Sequence, residues 1–479
     1  MTTTATDSNG SEVSAAMPRG LVLMIGYFVI LATLVLTIPL KLLGQIGPAL
    51  GASGSLLNWV VIIGSLSGAI GTSLLPPLAS LFGQRRMALV TMGLLTFGSL
   101  LGACAPNMTV LLIGRFIGGF TLGGIALALA IARSNLTGRT LRVVLSWIAA
   151  AEGIAAGLSF AIGGLLTDTV HVNWRVVFVI LAVLGIIGFL GTLAAVPGRQ
   201  GPGRGRVDWV GGLLLAVALA LVLVPLSMGS KWGWSSPKTL VPLILGVVVV
   251  VIWWNVEARV SEPLVNTRAL RNMNFLRGWL VFFLAGMLAW IVNFTLPTFT
   301  EVPASAGFGF GYDELSSGLL MLMFCFGIVA GSASVGPLSR IVPARALCLL
   351  AFVGCGVGML LIAFAHGSAW QLWVWPIIVG LSYGLAVASA YLTFIQALDP
   401  DEVATAASIG QISGPLGGAI GSAAISAVLT AQVVKVGHKA VPTEHSFQLG
   451  WVIGAVLSVV GLLLVALIRA PKSTAAETV

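Results

Sequence analysis

Two stretches decide the fold: "GGLLLAVALALVLVPL" (Gly211–Leu226) and "LVPLILGVVVVVIWW" (Leu240–Trp254). Neither contains a charged residue. A helix crossing the ~30 Å of bilayer hydrocarbon needs about 20 apolar residues in a row. A membrane β-strand would instead alternate apolar and polar positions, and these runs do not. Backbone polar groups in lipid must find internal partners, so a continuous apolar run reads as a helix. The rest of the chain agrees. Of 479 residues, 58% are hydrophobic and 8% charged, with mean hydropathy +1.05, whereas a soluble domain is about one quarter charged. The sequence therefore predicts an all-α polytopic membrane protein.

Working outward, the pair is bracketed by two polar stretches, "PGRQGPGRGR" (197–206) and "EARVSEPLVNTRALRNMNFLR" (257–277). Apolar runs place six spans before it, at about 20–42, 56–78, 86–104, 108–131, 143–167 and 174–196. The pair itself spans 209–228 and 239–256. Six more follow at about 277–299, 315–337, 344–365, 370–394, 404–432 and 447–469. The expected organisation is a disordered cytoplasmic segment (1–19), a six-helix bundle (20–196), a linker with the extra pair and a cytoplasmic loop (197–276), a second six-helix bundle (277–469) and a cytoplasmic tail (470–479). The first apolar run is too long for a signal-peptide core and is expected to remain as a helix.

With the N-terminus inside, 17 Lys and Arg residues fall in cytoplasmic loops, 6 outside, and Arg115 alone within a span. The positive-inside rule then puts both termini in the cytoplasm of a multi-pass protein of the plasma (inner) membrane. The net charge of +9 is a topology signal, with no clustered basic face to engage nucleic acid. No Gly-Lys-Ser/Thr loop binds a nucleotide, and no cofactor is expected. Cys104, Cys325, Cys348 and Cys355 form no CxxC and read as packing residues. His171, His366, His438 and His445 all fall in expected external loops. "HKAVPTEH" (438–445) offers two His and Glu444, though a solvated loop is the simpler reading. A monomer is expected.

Several motifs carry a resemblance. "PPLASLFGQRR" (76–86) is similar to a Gly-x-Leu-Ala-Asp-Arg-x-Gly-Arg-Arg signature through Leu78, Ala79, Gly83 and Arg85, with Arg86 following. "LLIGRFIGGFTLG" (111–123) resembles a helix-four signature through Arg115 and Gly119. "IGGLLTDTVHVNWRVVF" (162–178), "VDWVGGLLL" (207–215), "WGWSSP" (232–237) and "EPLVNTRALRNMNF" (262–275) extend it along the chain. These motifs resemble the major facilitator superfamily, and its fourteen-helix drug:proton antiporter branch in particular. The resemblance implies two six-helix bundles plus an inserted pair, 14 transmembrane helices in all, and proton-coupled export. This chain departs at Pro76 for Gly, at Ser80 for the signature Asp, and at Ser159-Phe160 for Gly-Pro. The first span, "FVILATLVLTIPL" (28–40), lacks the acid common in such exporters.

One carboxylate stands within a span: Glu152, in "WIAAAEGIAAGLSFAIGG" (147–164). An acid near a helix centre costs about 2.5–3.5 kcal/mol, and such residues face a cavity or a partner. Glu152, Ala156, Ser159 and Gly163 share one face at helical spacing. This predicts a proton carrier at Glu152, with a neutral, hydrogen-bonded Glu as the plain alternative. Arg115 takes a proton-coupling role by resemblance; otherwise it bonds to carbonyls of the first helix. The two Cα heights differ by roughly 5–10 Å at 1.5 Å rise per residue, so a direct salt bridge is not expected.

Tyr27, Trp290, Asn293, Tyr383 and Gln411 are candidate substrate contacts. Gly153, Gly157, Gly163 and Gly164 in span five, with Gly414 and Gly417 in span thirteen, mark surfaces of close helix approach. Trp232, Trp234, Trp253 and Trp254 are assigned to aromatic belts. The expected function is secondary export of an apolar or amphipathic small molecule in exchange for protons. The alternatives are uptake or facilitated diffusion without coupling, or a membrane sensor or scaffold that transports nothing. No catalytic residue is expected.

Overall fold

The computed structural model describes residues 19–52, 55–136, 172–198, 209–260, 273–396, 400–436 and 439–468, with thirteen separate positions between Thr140 and Leu165. The described elements begin with α1 (Arg19–Lys41), α2 (Leu43–Ala49), α3 (Ser55–Phe82), α4 (Gln84–Ala103) and α5 (Met108–Gly119). A 3-10 turn at Phe120–Gly123 links α5 to α6 (Gly124–Asn135). Then come α7 (Trp174–Ala195), α8 (Trp209–Trp232), α9 (Pro237–Glu257), α10 (Met273–Thr300), α11 (Glu314–Leu338), α12 (Ala344–Phe364), α13 (Ala369–Gln396) and α14 (Pro400–Ala431). Strands β1 (Val433–Val436) and β2 (Lys439–Pro442) precede α15 (Glu444–Leu467).

Among the described residues, ten helices are long and apolar enough to cross a membrane. α3, α8 and α14 coincide with three more expected spans. The expected span 143–167 is described only at separate positions, which are helical from Thr140 to Gly163. Two elements were not expected. The short helix α2 places Gln45 so that its Oε1 accepts the Trp174 N–H at 3.0 Å. The stretch around Lys435, expected as loop, pairs as an antiparallel hairpin in which Val433 faces Pro442.

Buried apolar side chains form two clusters, one between Leu21 and Val196 and the other between Val281 and Val465. Similar clasps hold each together. Arg85, second residue of α4, donates to the Leu193 carbonyl near the end of α7. Arg345, second residue of α12, donates to the Ala466 carbonyl near the end of α15. The last carbonyls of a helix lack intrahelical partners, and a cation there also complements the helix dipole. At the opposite end Arg175 Nη1 donates to the Ala103 carbonyl at 2.9 Å, joining α7 to α4. In the second cluster His366, just past α12, meets Glu444 at the start of α15, with Nε2 and Oε1 2.9 Å apart. His366 is thus buried at 6% exposure, not solvated, and Glu444 is already partnered. Cys325, Cys348 and Cys355 are buried as expected; Cys104 is exposed.

The pair α8–α9 forms a helical hairpin. α8 packs on α3 and on α14, so it touches helices of both clusters. α9 packs chiefly on α8 and leaves Ile244, Val247 and Val251 exposed, a face suited to lipid. Trp253, expected in an aromatic belt, is instead buried at 7% exposure.

Candidate functional site

Asn107 starts α5 by accepting the Val110 N–H on its side-chain oxygen at 3.0 Å. Two turns later the helix presents Arg115, 2% exposed. Its Nε donates to the Val60 carbonyl of α3 at 3.1 Å, and Nη1 to the Val35 carbonyl of α1 at 2.7 Å. One guanidinium therefore ties three helices. The bond to α1 is the arrangement anticipated as the plain alternative, and α3 adds a partner that the sequence did not indicate. Nη2 is buried and has no hydrogen-bond partner among the described residues. A buried charged donor left unpaired is costly, so Nη2 marks a place where an acceptor would be stabilised.

Gly64 makes room for that group. A Cβ on Gly64 would lie 2.5 Å from Nη2, so no larger residue fits without moving the guanidinium. Gly119 fits for a similar reason: its Cβ would lie 2.6 Å from the Gly64 carbonyl oxygen. Ser67 completes the contact by donating its hydroxyl to the Phe116 carbonyl. Beyond Gly119 the helix tightens into the 3-10 turn Phe120–Gly123. Such an interruption within a helix often marks a hinge.

The signature loop has its own backbone requirement. Gly83 lies between α3 and α4 at φ +93°, where an L side chain is strained. Ala79 is buried, Leu78 half-buried, and Ser80 and Arg86 are exposed.

The other candidates do not converge on Arg115. The Tyr27 hydroxyl donates to the Leu184 carbonyl at 2.7 Å, fastening α1 to α7. Trp290 lies over Gly418, whose Cβ would meet the indole at 2.3 Å. Asn293 turns Nδ2 back to the Ala289 carbonyl of its own helix at 2.8 Å. The Tyr383 ring lies 6.4 Å from that of Phe324. Gln411 belongs to α14, with its side chain outside the description. Glu152, Gly153 and Gly164 lie outside the described residues. On the face expected to carry Glu152, Ser159 and Gly163 are buried, whereas Trp147, Ile154 and Leu158 are exposed.

Two of the expected glycines, Gly157 and Gly417, do mark close approach, whereas a Cβ on Gly414 would meet nothing within 4 Å. A Cβ on Gly157 would meet Leu322 Cδ2 at 2.7 Å and Cys325 Cβ at 3.1 Å, so span five touches α11 of the other cluster. A Cβ on Gly417 would lie 2.0 Å from the Phe283 carbonyl oxygen, and one on Gly286 would lie 2.3 Å from the Gly414 carbonyl oxygen. Sequence reasoning missed Gly64, because its role appears only once Arg115 is placed against it.

Comparison with known proteins agrees with this architecture. A family model described as "Major Facilitator Superfamily" matches residues 23–422 and again 279–478. Among curated relatives, "Multidrug resistance protein Stp" of Mycobacterium tuberculosis (strain CDC 1551 / Oshkosh) is 27% identical over 392 residues, 80% of this chain and 70% of that protein. "MFS efflux transporter aclA" of Aspergillus oryzae is 29% identical over 371 residues, covering 73% and 64%. "Uncharacterized MFS-type transporter EfpA" from the same Mycobacterium strain is 25% identical over 469 residues, covering 92% and 85%. The crystal structure of a mutant of the nucleoside transporter NupG superposes with TM-score 0.59 at 14% identity, over 94% of this chain and 99% of that one; it shares the fold. This chain belongs to the Major Facilitator Superfamily, as a multi-pass membrane transporter.

Proposed function

We propose that this transporter exports apolar or amphipathic small molecules in exchange for protons. In this reading it has fourteen helices, both termini lie in the cytoplasm of the plasma membrane, and the two clusters are the two six-helix bundles. The observation that carries the reading is Arg115: a buried guanidinium held by Val35 and Val60, with Nη2 unsatisfied among the described residues. Glu152 carries the proton, and Arg115 sets the local field. Support for the direction comes from a relative named as an efflux transporter, beside one named as a multidrug resistance protein, and support for the spans from ten apolar helices among the described residues.

The substrate class follows from charge. An unpaired charge in a low-dielectric cavity is costly. In the sequence reading the span interiors offer one carboxylate, Glu152, and one guanidinium, Arg115, so neutral or monocationic ligands are favoured over dications and polyanions. The test is transport in inverted vesicles with and without an imposed proton gradient. Glu152→Gln should abolish gradient-driven transport while substrate counterflow persists. Full retention of proton-driven transport would remove Glu152 from the mechanism, and efficient efflux of a dication by Glu152→Gln would overturn the substrate reading.

A further inference from the structure

The two clusters also meet at the end where the signature loop lies, through a contact between a cation and an aromatic ring. Arg133 stands in the last turn of α6 and Tyr391 in the last turns of α13. The Arg133 guanidinium carbon lies 5.9 Å from the centre of the Tyr391 ring. Both side chains are half-buried. The Tyr391 hydroxyl is buried and, among the described residues, makes no hydrogen bond, so the ring face is what Tyr391 offers.

Each partner is braced from its own side. Gln84 follows the positive-φ Gly83. Its Oε1 accepts from Ser134 Oγ at 2.8 Å and from Asn135 Nδ2 at 3.2 Å, while its Nε2 donates to the Ala130 carbonyl at 3.3 Å. The end of α6 is thereby fixed to the signature loop. On the other side Phe282 of α10 packs edge-on to Tyr391 with centroids 6.3 Å apart. A cation over an aromatic face needs no deprotonatable partner and gains strength when shielded from water.

We propose that Arg133 and Tyr391 form the latch that holds this end of the transporter shut, with Gln84 as the positioning residue that aims Arg133. Calling this end cytoplasmic rests on the topology proposed above; the latch itself does not depend on proton coupling or on the substrate. Opening toward this side separates the cation from the ring, and closing restores the contact.

The test is a distance measurement between spin labels on the full-length protein with Cys104 replaced by Ser. The labels sit at Arg86→Cys and Ile341→Cys, exposed positions on the two clusters. Arg133→Ala and Tyr391→Ala are each expected to shift the closed-to-open ratio about tenfold toward open, the scale of about 1.4 kcal/mol. The double variant should open no further than either single one, since both remove the same contact. Tyr391→Phe should keep the parent distribution. Gln84→Ala should open the end partially, and Gln84→Glu, which keeps the acceptor for Ser134 and Asn135, should restore it. Unchanged distances in monodisperse Arg133→Ala and Tyr391→Ala would overturn the latch, as would Tyr391→Phe behaving like Tyr391→Ala. Because distances are read without transport, an exporter assignment that failed would leave this result standing.

Discussion

Two helix pairs, α3 with α5–α6 and α11 with α13, are packed by one device in the two clusters. A Cβ on Gly119 would lie 2.6 Å from the Gly64 carbonyl oxygen, and one on Gly123 would lie 2.4 Å from that of Gly71. In the second cluster a Cβ on Gly380 would lie 2.0 Å from the Phe324 carbonyl oxygen, and one on Gly384 would lie 2.1 Å from that of Ile328. Gly119 and Gly380 stand at the same distance from the start of their helices, as do Gly123 and Gly384. One turn before the first glycine of each pair the likeness ends: Arg115 occupies that position in one cluster and Pro376 in the other. Close backbone approach is thus scaffold shared by both, and among the described residues the buried guanidinium is a feature of the first alone.

The sharpest way to break this comparison is to exchange the odd residues. Arg115→Ala should cut gradient-driven transport by an order of magnitude or more, the scale of one charged hydrogen bond at about 1.5–3 kcal/mol. Pro376→Ala should leave transport near parent level. Equal losses in a vesicle assay would show that the asymmetry carries no function.

Glycine substitutions separate scaffold from site. In Gly384→Ala the new methyl meets backbone, which cannot yield, so a loss of about 1–3 kcal/mol is expected in a detergent melt. In Gly64→Ala the nearest atom is the end of the Arg115 side chain. That side chain can move, so transport should fall with a smaller change in melting. Identical melting losses would mean that Gly64 is scaffold as well.

The matched clasps predict a matched result. Arg85→Ala and Arg345→Ala should each destabilise by about 1 kcal/mol. A loss confined to one of them would show that the clasps are alike in geometry only.

The smallest effect concerns two helix caps. The Ser316 hydroxyl and amide hold the Asp313 carboxyl below its ordinary value at the start of α11, whereas neutral Asn107 caps α5. A carboxyl lowered by folding contributes stability above its unfolded pKa, and that contribution is lost as pH falls through the folded value. Asp313→Asn should therefore cost at most about 1 kcal/mol at neutral pH and nothing in strong acid. Asn107→Asp should introduce the same acid dependence at α5. Melting curves against pH would check both.

The spans were legible because lipid demands long uninterrupted apolar runs, and Arg115 because a lone cation in such a run is conspicuous. Gly83 was legible through its signature, and its backbone supplies the reason. Tyr27 was not, since spacing cannot reveal that its hydroxyl ends on the Leu184 carbonyl of a helix far along the chain. Tyr391 and Arg133 were missed as partners for the same reason. His366 read as a loop residue because polarity reports solvent only when the loop does not fold back, and here it lies between Phe299 and Trp451. The hairpin β1–β2 shows no alternation of burial along Val433–Val436, so period-two patterning had nothing to detect.

The helical hairpin α8–α9 has an arithmetic consequence. Its two limbs return the chain to the membrane face from which it departed, so the cluster that follows keeps its polarity. Arg85 and Arg345 clasp equivalent helix ends, and a connecting pair of helices leaves both clasps on one face. A single added helix would have turned the second cluster upside down and carried Arg345 to the opposite side. A connection of two helices preserves the orientation of the second cluster, and a connection of one would invert it.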